Sequence, residues 1–418
     1  MRSEHVEWGG GFWGGLAAFV KRGPCGRPVA AAEYENGPVG HSGRCRRSGA
    51  RQGFSVRGVF GKGVFGLIGG RKVELMTTMT FSALSTARPG WERAVVTGGA
   101  GFLGSHLCER LLDSGVGVDC ADNLSSGSAD NVRHLTGRPG FRFLELDVAD
   151  PGFPDALTGH PYDLVLHCAG PASPADCRDR PLDALDAAGL GTRNALAVAG
   201  RDGARFLLAS AGRVRGDPLG APEPEEARGE AHPDGPCTVY DVSKRFSEAL
   251  TAAYATAHGT DAGIVRLFDT YGPRMRADDA QSIPAFVEQA LAGGPVTVED
   301  DGTGARSLCY VDDVVDGVLR VAASRSLRPV DIGGGDETTV QEIARRVIDL
   351  TGSRAGLEFG TADGSDPARR RPDPSFACEL FGWMPKVSWE EGFKRTIAYF
   401  AGMRAAGDLG RMPGERFR

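Results

Sequence analysis

Between Arg93 and Phe268 the chain alternates short apolar runs with longer stretches in which apolar residues recur every third or fourth position. Ala94, Val95 and Val96 form the first run, and others, with an interspersed charged residue or two, follow at 117–121, 141–146, 163–168, 204–209 and 263–268. Short runs of this kind, rich in Val, Leu and Ile, mark strands buried on both faces. The segments between them, at 105–114, 181–201 and 239–258, carry helical periodicity. The pattern predicts an α/β fold, a Rossmann-type doubly wound parallel sheet with helices on both faces. That domain is expected over 91–275, including the 239–258 helix. Beyond residue 275 the elements become shorter, which predicts a smaller C-terminal α/β substrate-binding lobe over 276–402 and a tail at 403–418. Trp383 and Trp389 are expected in the core of that lobe.

Residues 1–75 are rich in Gly and Arg and show no sustained period. They are expected to be disordered or an upstream extension foreign to the native protein, with Met76 and Met79 as natural starts. A basic arm that binds a partner is the sharper alternative. The pattern 222–236, rich in Pro and Glu, predicts a mobile loop.

The chain has 418 residues, enough for about two domains. Its net charge of −6 is uneven: residues 1–75 carry +7 and the remainder −13. An acidic main body argues against nucleic acid as a partner. Nine scattered cysteines show neither zinc-ligand nor redox spacing, so reduced thiols, no metal site and a cytoplasmic location are expected. No apolar run approaches the roughly 18 residues that span a bilayer, and Glu4 and Glu7 stand where a signal peptide would be basic. No membrane association is expected.

Two constellations carry chemistry. Gly98, Gly101 and Gly104 follow the first apolar run as a tight turn that leads into the start of a helix. Glycine at these places lets backbone approach a pyrophosphate and lets the helix pack on the strand. The first N–H groups of that helix then face the phosphates. Asp122 ends the second strand, at the distance where a carboxylate holds a ribose hydroxyl pair. Tyr240 and Lys244 form the second constellation, four positions apart on one helix face. Alone, that spacing also fits an exposed amphipathic pair. Downstream of a dinucleotide turn it fits a phenol activated by an ammonium, able to take a proton from a sugar hydroxyl while hydride leaves. His106 is expected to pack or cap at the glycine turn, and His167, at the end of the fourth strand, to be structural.

These segments resemble the extended short-chain dehydrogenase/reductase superfamily, and within it the UDP-glucuronate decarboxylases. The resemblance covers about Arg93 to Ala401 and rests on 122–127 (DNLSSG), 171–174 (PASP), 205–210 (RFLLAS), 270–276 (TYGPRMR), 306–313 (RSLCYVDD), 369–373 (RRRPD) and 382–386 (GWMPK). It implies bound NAD, held by Gly98, Gly101, Phe102, Leu103, Gly104, Asp122, Asn123, Ser126, Gly127, Asp147, Val148, Tyr240 and Lys244. It implies a nucleotide-sugar substrate, a UDP-sugar, at Pro171, Ser173, Asn194, Arg201, Thr270, Arg274 and Arg306. Tyr240 would be the base, Lys244 its electrostatic partner, and Arg306 an arginine beside substrate. The implied reaction oxidises C4 of UDP-glucuronate, loses carbon dioxide from the resulting β-keto acid, and returns the hydride to give UDP-xylose. A homodimer built through paired helices is implied as well.

The chain departs from the family at several polar positions. Ala211 stands for the threonine that bonds the reacting hydroxyl, and Arg213 for the glutamate expected to assist decarboxylation. Asp186 replaces a lysine, Ala188 and Asp269 replace asparagines, and Gln281 replaces an arginine. Ser210 would not substitute for the lost hydroxyl, because a one-residue shift on a strand reverses the side chain. The readings left open are a decarboxylase with an altered pocket, an epimerase or oxidoreductase for another nucleotide sugar, and a catalytically weak binding protein. A dehydratase is disfavoured, since Gly212 and Arg213 stand where its acid pair belongs.

Overall fold

The computed structural model describes six strands between Glu4 and Leu75, and residues 90–171, 174–215, 238–276, 283–299, 301–326, 328–360, 372 and 374–406. It divides into two units, Met1–Ala87 and Arg88–Arg418. In the first unit the six strands form two three-stranded antiparallel sheets, Glu4–His5, Leu16–Arg22 and Pro28–Tyr34, then Phe54–Val56, Val64–Ile68 and Arg71–Leu75. The sequence shows no sustained period here because these are brief local pairings without long apolar alternation.

The second unit is built on a seven-stranded sheet: β1 (Arg93–Thr97), β2 (Gly117–Asp122), β3 (Phe141–Glu145), β4 (Leu164–His167), β5 (Arg205–Ala211), β6 (Ala262–Leu267) and β7 (Val330–Ile332). Every pairing is parallel, and the spatial order is β7-β6-β5-β4-β1-β2-β3. The order reverses between β1 and β4, and the crevice at the carboxyl ends of these two strands is where such sheets bind ligands. Neighbouring residues on a strand feed opposite layers. Ala94, Val96, Leu166 and Leu207 pack against helix α1 (Phe102–Asp113), while Val95, Val165, Phe206 and Leu208 pack against α2 (Thr192–Asp202) and α3 (Thr238–His258). The expected strands and helices of this sheet are present within a few residues. The seventh strand, at 330–332, has no counterpart in the sequence reading, and through it the chain beyond residue 275 returns to the main sheet.

Two differences have local causes. Helix α1 begins at Phe102 rather than near 105, because Gly101 takes the extended N-cap position and the Ser105 N–H already bonds Gly101 O at 3.0 Å. The stretch expected as one helix over 181–201 instead runs Pro181–Asp186, a π-turn at Ala187–Gly191, then α2. The glycines allow this: a Cβ on Gly191 would lie 2.7 Å from Val148.

In the C-terminal part, helix α4 (Val311–Ser324) carries Asp313, whose carboxylate accepts the Lys386 and Val387 N–H groups at 2.9 and 2.8 Å. Trp383 is buried and donates to Asp313 O, as expected of a core residue. Trp389 corrects the expectation: it is 39 % exposed, at the first position of the Trp389–Ala405 helix, with its ring edge-on to Phe393. Cys108, Cys120, Cys168, Cys177 and Cys309 are free thiols, whereas Cys378 is disulfide-bonded, a departure from the all-thiol expectation. Among the described residues no group of acids, histidines and cysteines could hold a metal ion, and no helix is long and apolar enough to cross a membrane. The 222–236 loop lies outside the described residues.

Candidate active site

The turn after β1 has no room for side chains. Gly98 has φ +69°, and a Cβ there would lie 2.7 Å from Ala169 N on the end of β4. A Cβ on Gly104 would lie only 2.1 Å from Gly98 O, so α1 packs directly on the turn. Gly98 N–H and Gly99 N–H both reach Ala121 O on β2, at 2.8 and 3.3 Å. Phe102 and Leu103 then open α1, whose N-terminus has no side-chain cap. Free N–H groups at the end of a helix, with backbone alone lining the approach, suit a pyrophosphate.

Asp122 braces this turn. Its carboxylate is buried and accepts Ala100 N at 2.9 Å and Leu124 N at 2.8 Å. Burial raises its pKa, against the pull of those N–H donors. Gly127 packs on the same carboxylate, where its Cβ would lie 2.8 Å from Oδ1, with Ser126 beside it. Asn123 donates to Asp147 at 3.1 Å and accepts Ser125 N, and Asp147 accepts Ala149 N. Val148 is buried against Gly191. The structure therefore brings the expected cofactor residues of the first three strand ends to one edge of the sheet, and the glycine turn leaves room for a dinucleotide's pyrophosphate.

Helix α3 sets Tyr240 and Lys244 on its buried side. Tyr240 is 8 % exposed and shares an apolar cluster with Cys177, Ala184 and Ala211, with Val239 against it. Lys244 Nζ is 5.9 Å from the centre of the Tyr240 ring and donates to Ala209 O on β5 at 3.4 Å. Burial lowers the Lys244 pKa, partly offset by Cys168, Cys177 and Glu248. The pair thus stands at the carboxyl end of β5, two strands along from the glycine turn, and can hold a phenolate against an ammonium.

The departures from the family pattern lie around this pair. Ala211 is buried in the Tyr240 cluster and offers no hydroxyl. Ser210 does not fill the gap: it alternates with Ala211 on β5, and its buried Oγ has no hydrogen-bond partner among the described residues. Arg213 lies on the turn Gly212–Arg215 and its Nε donates to Asp241 at 3.0 Å, beside Tyr240 in the chain. Asp186 and Asp269 are exposed, while Ala188 is buried and its carbonyl accepts Ser247 Oγ. Gln281 lies outside the described residues.

The residues expected to hold substrate do not all converge. Pro171 follows β4 at the carboxyl edge, and Ser173 lies outside the described residues. Thr270 and Tyr271 form a short strand paired with Cys309–Tyr310, three residues after Arg306. Arg306 is half-buried in the Ala305–Arg306 strand, paired with Thr338–Thr339. Asn194 spans α2 and the 148–150 loop, donating to Val148 O and Asp150 O at 2.9 Å each. Arg201 sits in the last turn of α2, at the amino end of the sheet, bonded to Asp202, Pro154 O and Leu157 O. Arg274, with φ +69°, pairs with Glu109 of α1 and reaches His134 at 3.2 Å. Beneath it His106 Nε2 meets Pro273 O at 2.9 Å, and burial and the Arg274 charge push the imidazole down to about 4. Arg274 thereby docks the 270–276 segment on the cofactor helix.

Two groups at the crevice carry no signal in the sequence. Asp176 takes Arg276 Nη1 at 2.7 Å, and Arg180, close to the same carboxylate, donates to Ser125 O at 2.8 Å. These contacts tie the cofactor-side loop, the Pro174–Asp179 helix and the 270–276 segment together. Their partners are 55 and 100 residues apart, so no local pattern could announce them.

The chain is similar to known proteins over most of its length. The sequence pattern of the NAD dependent epimerase/dehydratase family matches residues 94–333. UDP-glucuronic acid decarboxylase 1 of Danio rerio is 37 % identical over 332 residues, 79 % of this chain and 78 % of that one. The crystal structure of UDP-glucose 4-epimerase with UDP-glucose from Thermotoga maritima superposes with a TM-score of 0.68 at 30 % identity, covering 75 % of this chain and 99 % of that one. UDP-glucuronic acid 4-epimerase from Bacillus cereus, in complex with UDP-glucuronic acid and NAD, gives 0.67 at 26 % identity over 74 % and 99 %. The family match over residues 94–333 and the relative at 37 % identity over 79 % of this chain show that the chain belongs to the NAD dependent epimerase/dehydratase family.

Proposed function

We propose that this protein is an NAD-dependent nucleotide-sugar enzyme of the decarboxylase type, turning UDP-glucuronate into UDP-xylose and carbon dioxide. The observation that carries the reading is Tyr240 with Lys244 behind it, buried at the carboxyl edge of the sheet that bears the glycine turn. The likeness to UDP-glucuronic acid decarboxylases over 79 % of the chain supports the substrate. Bound NAD would supply the hydride acceptor and give the hydride back within one turnover. Gly98, Gly101 and Gly104 would leave space for its pyrophosphate, Asp122 and Asn123 would hold its ribose, and Tyr240 would take the proton of the C4 hydroxyl. Lys244 stabilises the phenolate. The C6 carboxylate then lies β to a ketone and leaves as carbon dioxide, its electron pair passing to an enolate that a proton quenches at C5. Arg306 and Thr270 hold the nucleotide end of the substrate.

Ala211 and Arg213 slow this sequence. The reacting hydroxyl lacks the hydroxyl partner the family gives it, and Arg213, bound to Asp241, replaces the carboxylate expected to serve the decarboxylation stage. That same Arg213–Asp241 pair favours a second reading. Epimerisation at C4 of another nucleotide sugar shares the 4-keto stage and needs no group at position 213. Purified protein loaded with NAD and offered a panel of nucleotide sugars, read by mass spectrometry for loss of carbon dioxide and by NMR for the C4 epimer, separates the two. Neither carbon dioxide loss nor a C4 epimer with any sugar, in protein that retains NAD, would reject an enzyme of this type.

The protein is further read as a cytoplasmic homodimer. The five free thiols among the described residues support a reducing compartment, and the bonded Cys378 counts against it. Leu182, Leu190, Val242 and Phe246 are 72, 51, 45 and 50 % exposed on the 181–191 segment and α3, and Phe246 lies against Gly189, so they make one apolar patch. A patch of this kind suits a second copy of the same helices.

A further inference from the structure

His167 ends β4, between the strand that leads into the glycine turn and the layer that holds α3. It is 2 % exposed. Its Nδ1 is 2.7 Å from Thr97 Oγ1, the residue immediately before Gly98. Its Nε2 is 3.1 Å from Thr192 Oγ1, at the start of α2. Thr192 Oγ1 is 3.3 Å from Ser247 Oγ on α3, and Ser247 Oγ is 3.1 Å from both Ala188 O and Ser243 O. Ser243 is the residue before Lys244, and its own hydroxyl bonds Tyr240 O at 2.7 Å.

The direction of every bond in this chain is fixed. Ser247 has one hydroxyl proton, and two carbonyls, which only accept, compete for it. Towards Thr192 it must therefore accept, so Thr192 donates. Thr192 has then no proton left for His167, so Nε2 carries the hydrogen. The imidazole is neutral: burial and the nearby Lys244 charge push it down to about 3. Its Nδ1 is bare and accepts from Thr97. A single polarised line runs from the residue before the glycine turn, through the imidazole, to the backbone of the helix turn between Tyr240 and Lys244.

We propose that His167 is a positioning residue, whose Nε2–H tautomer sets the spacing between the glycine turn and the Tyr240–Lys244 pair. No other side chain does this with one ring: a buried imidazole donates on one side and accepts on the other across the gap between two elements. Apolar packing in the same layer resists separation of these elements, whereas directional bonds also fix their rotation and slide. Tyr240 must meet the sugar hydroxyl while that sugar's C4 faces the cofactor, so a small slide of α3 misaligns proton and hydride transfer together. The inference rests on Tyr240 and Lys244 as the proton-transfer pair. Among the described residues the titratable groups around Lys244 are Tyr240, His167, Cys168, Cys177 and Glu248, and of these His167 is bonded to the strand that leads into the glycine turn.

The test compares His167→Leu, which removes both bonds, with His167→Gln, which restores a donor towards Thr192, in NAD-loaded protein. Two quantities are read: the single-turnover rate with a nucleotide sugar, and the ionisation of Tyr240 by absorbance difference against Tyr240→Phe. In His167→Leu the rate falls about 10- to 100-fold with KM little changed, and the Tyr240 ionisation moves up in pH as Lys244 loses its placement. His167→Gln recovers most of both. Folded, NAD-retaining His167→Leu with unchanged rate and unchanged Tyr240 ionisation overturns the proposal, as does a rise in KM or a loss of NAD with the rate and the Tyr240 ionisation unchanged. Should His167→Leu not fold, Thr192→Val cuts the same line and carries the same expectation. If the unaltered protein turns over no nucleotide sugar, the proposed function fails, while the Tyr240 ionisation still decides the role of His167.

Discussion

At the scale of single residues, the chemistry depends on what surrounds one phenol. Tyr240 has Lys244 behind it and shares an apolar cluster with Cys177, Ala184 and Ala211. A missing transition-state hydrogen bond costs about 10²-fold or more in rate. Restoring the family groups with Ala211→Thr and Arg213→Glu together is therefore expected to speed carbon dioxide release from UDP-glucuronate by about 10- to 100-fold. A wild-type rate already within the ordinary enzyme range of about 1–10³ per second, unchanged in the double variant, contradicts this account of the pocket. Tyr240→Phe keeps the ring and its packing and removes only the acid–base group. It is expected to abolish hydride transfer while NAD stays bound, measured by cofactor retention and by isotope exchange; equal exchange in the variant rejects Tyr240 as the base.

At the scale of elements, the glycine turn is the feature most tightly held by its backbone. Gly104 allows α1 to sit on the turn, with Gly98 O at 2.1 Å from the place of a Cβ. The obstacle is backbone, which cannot swing aside as a side-chain end can. Gly104→Ala is expected to destabilise the unit by about 1–3 kcal/mol and to abolish NAD binding, read by denaturant midpoint and by cofactor titration. Unchanged NAD affinity would remove this turn from the cofactor site. The elements of the main sheet were legible because strands buried on both faces must be largely apolar, as 94–96 and 206–209 are. β7 was not, because three residues carry no period. The π-turn at Ala187–Gly191 escaped for another reason: an extra residue in a turn leaves composition untouched, and only the fit of glycine against Val148 and Phe246 reveals it.

At the scale of the whole molecule, buried titratable groups set the response to acid. His167 is held at about 3 and His106 at about 4, both chiefly by burial, against an ordinary value of about 6.5. Between those values the unfolded chain binds more protons than the folded one, so this contribution is complete above about pH 6.5 and is lost as pH falls below it. Asp119 and Glu109 act in the same sense at lower pH. Burial alone would raise them, but hydrogen bonds from Arg142, Tyr162 and Arg93 in one case and from Arg274 in the other hold them low. Asp122, raised by burial, works the other way over its narrower window. Tm is expected to fall steadily from about pH 6.5 to pH 5, with a smaller slope in His167→Gln; a flat profile would show that neither histidine is held neutral. The apolar patch makes a separate prediction. Leu190→Glu with Phe246→Lys is expected to convert a dimer into monomers in sedimentation, and a monomeric wild type would remove the dimer from the reading.

The sequence by itself determined the strand–helix alternation, the glycine turn with Asp122 after it, and the presence of Tyr240 and Lys244 on one helix face. Each of these is written in neighbouring residues, because apolar period, glycine and helical spacing act over a few positions. The tertiary structure alone decided which polar residues meet. It put Arg201 at the amino end of the sheet and Arg274 on Glu109, though a sequence pattern had grouped both with the substrate. It also joined Thr97, His167, Thr192 and Ser247 into one hydrogen-bonded line. Hydrogen bonds and ion pairs form wherever the packing of apolar faces brings polar atoms within about 3 Å, and that distance follows from the register of whole elements rather than from the identity of adjacent residues.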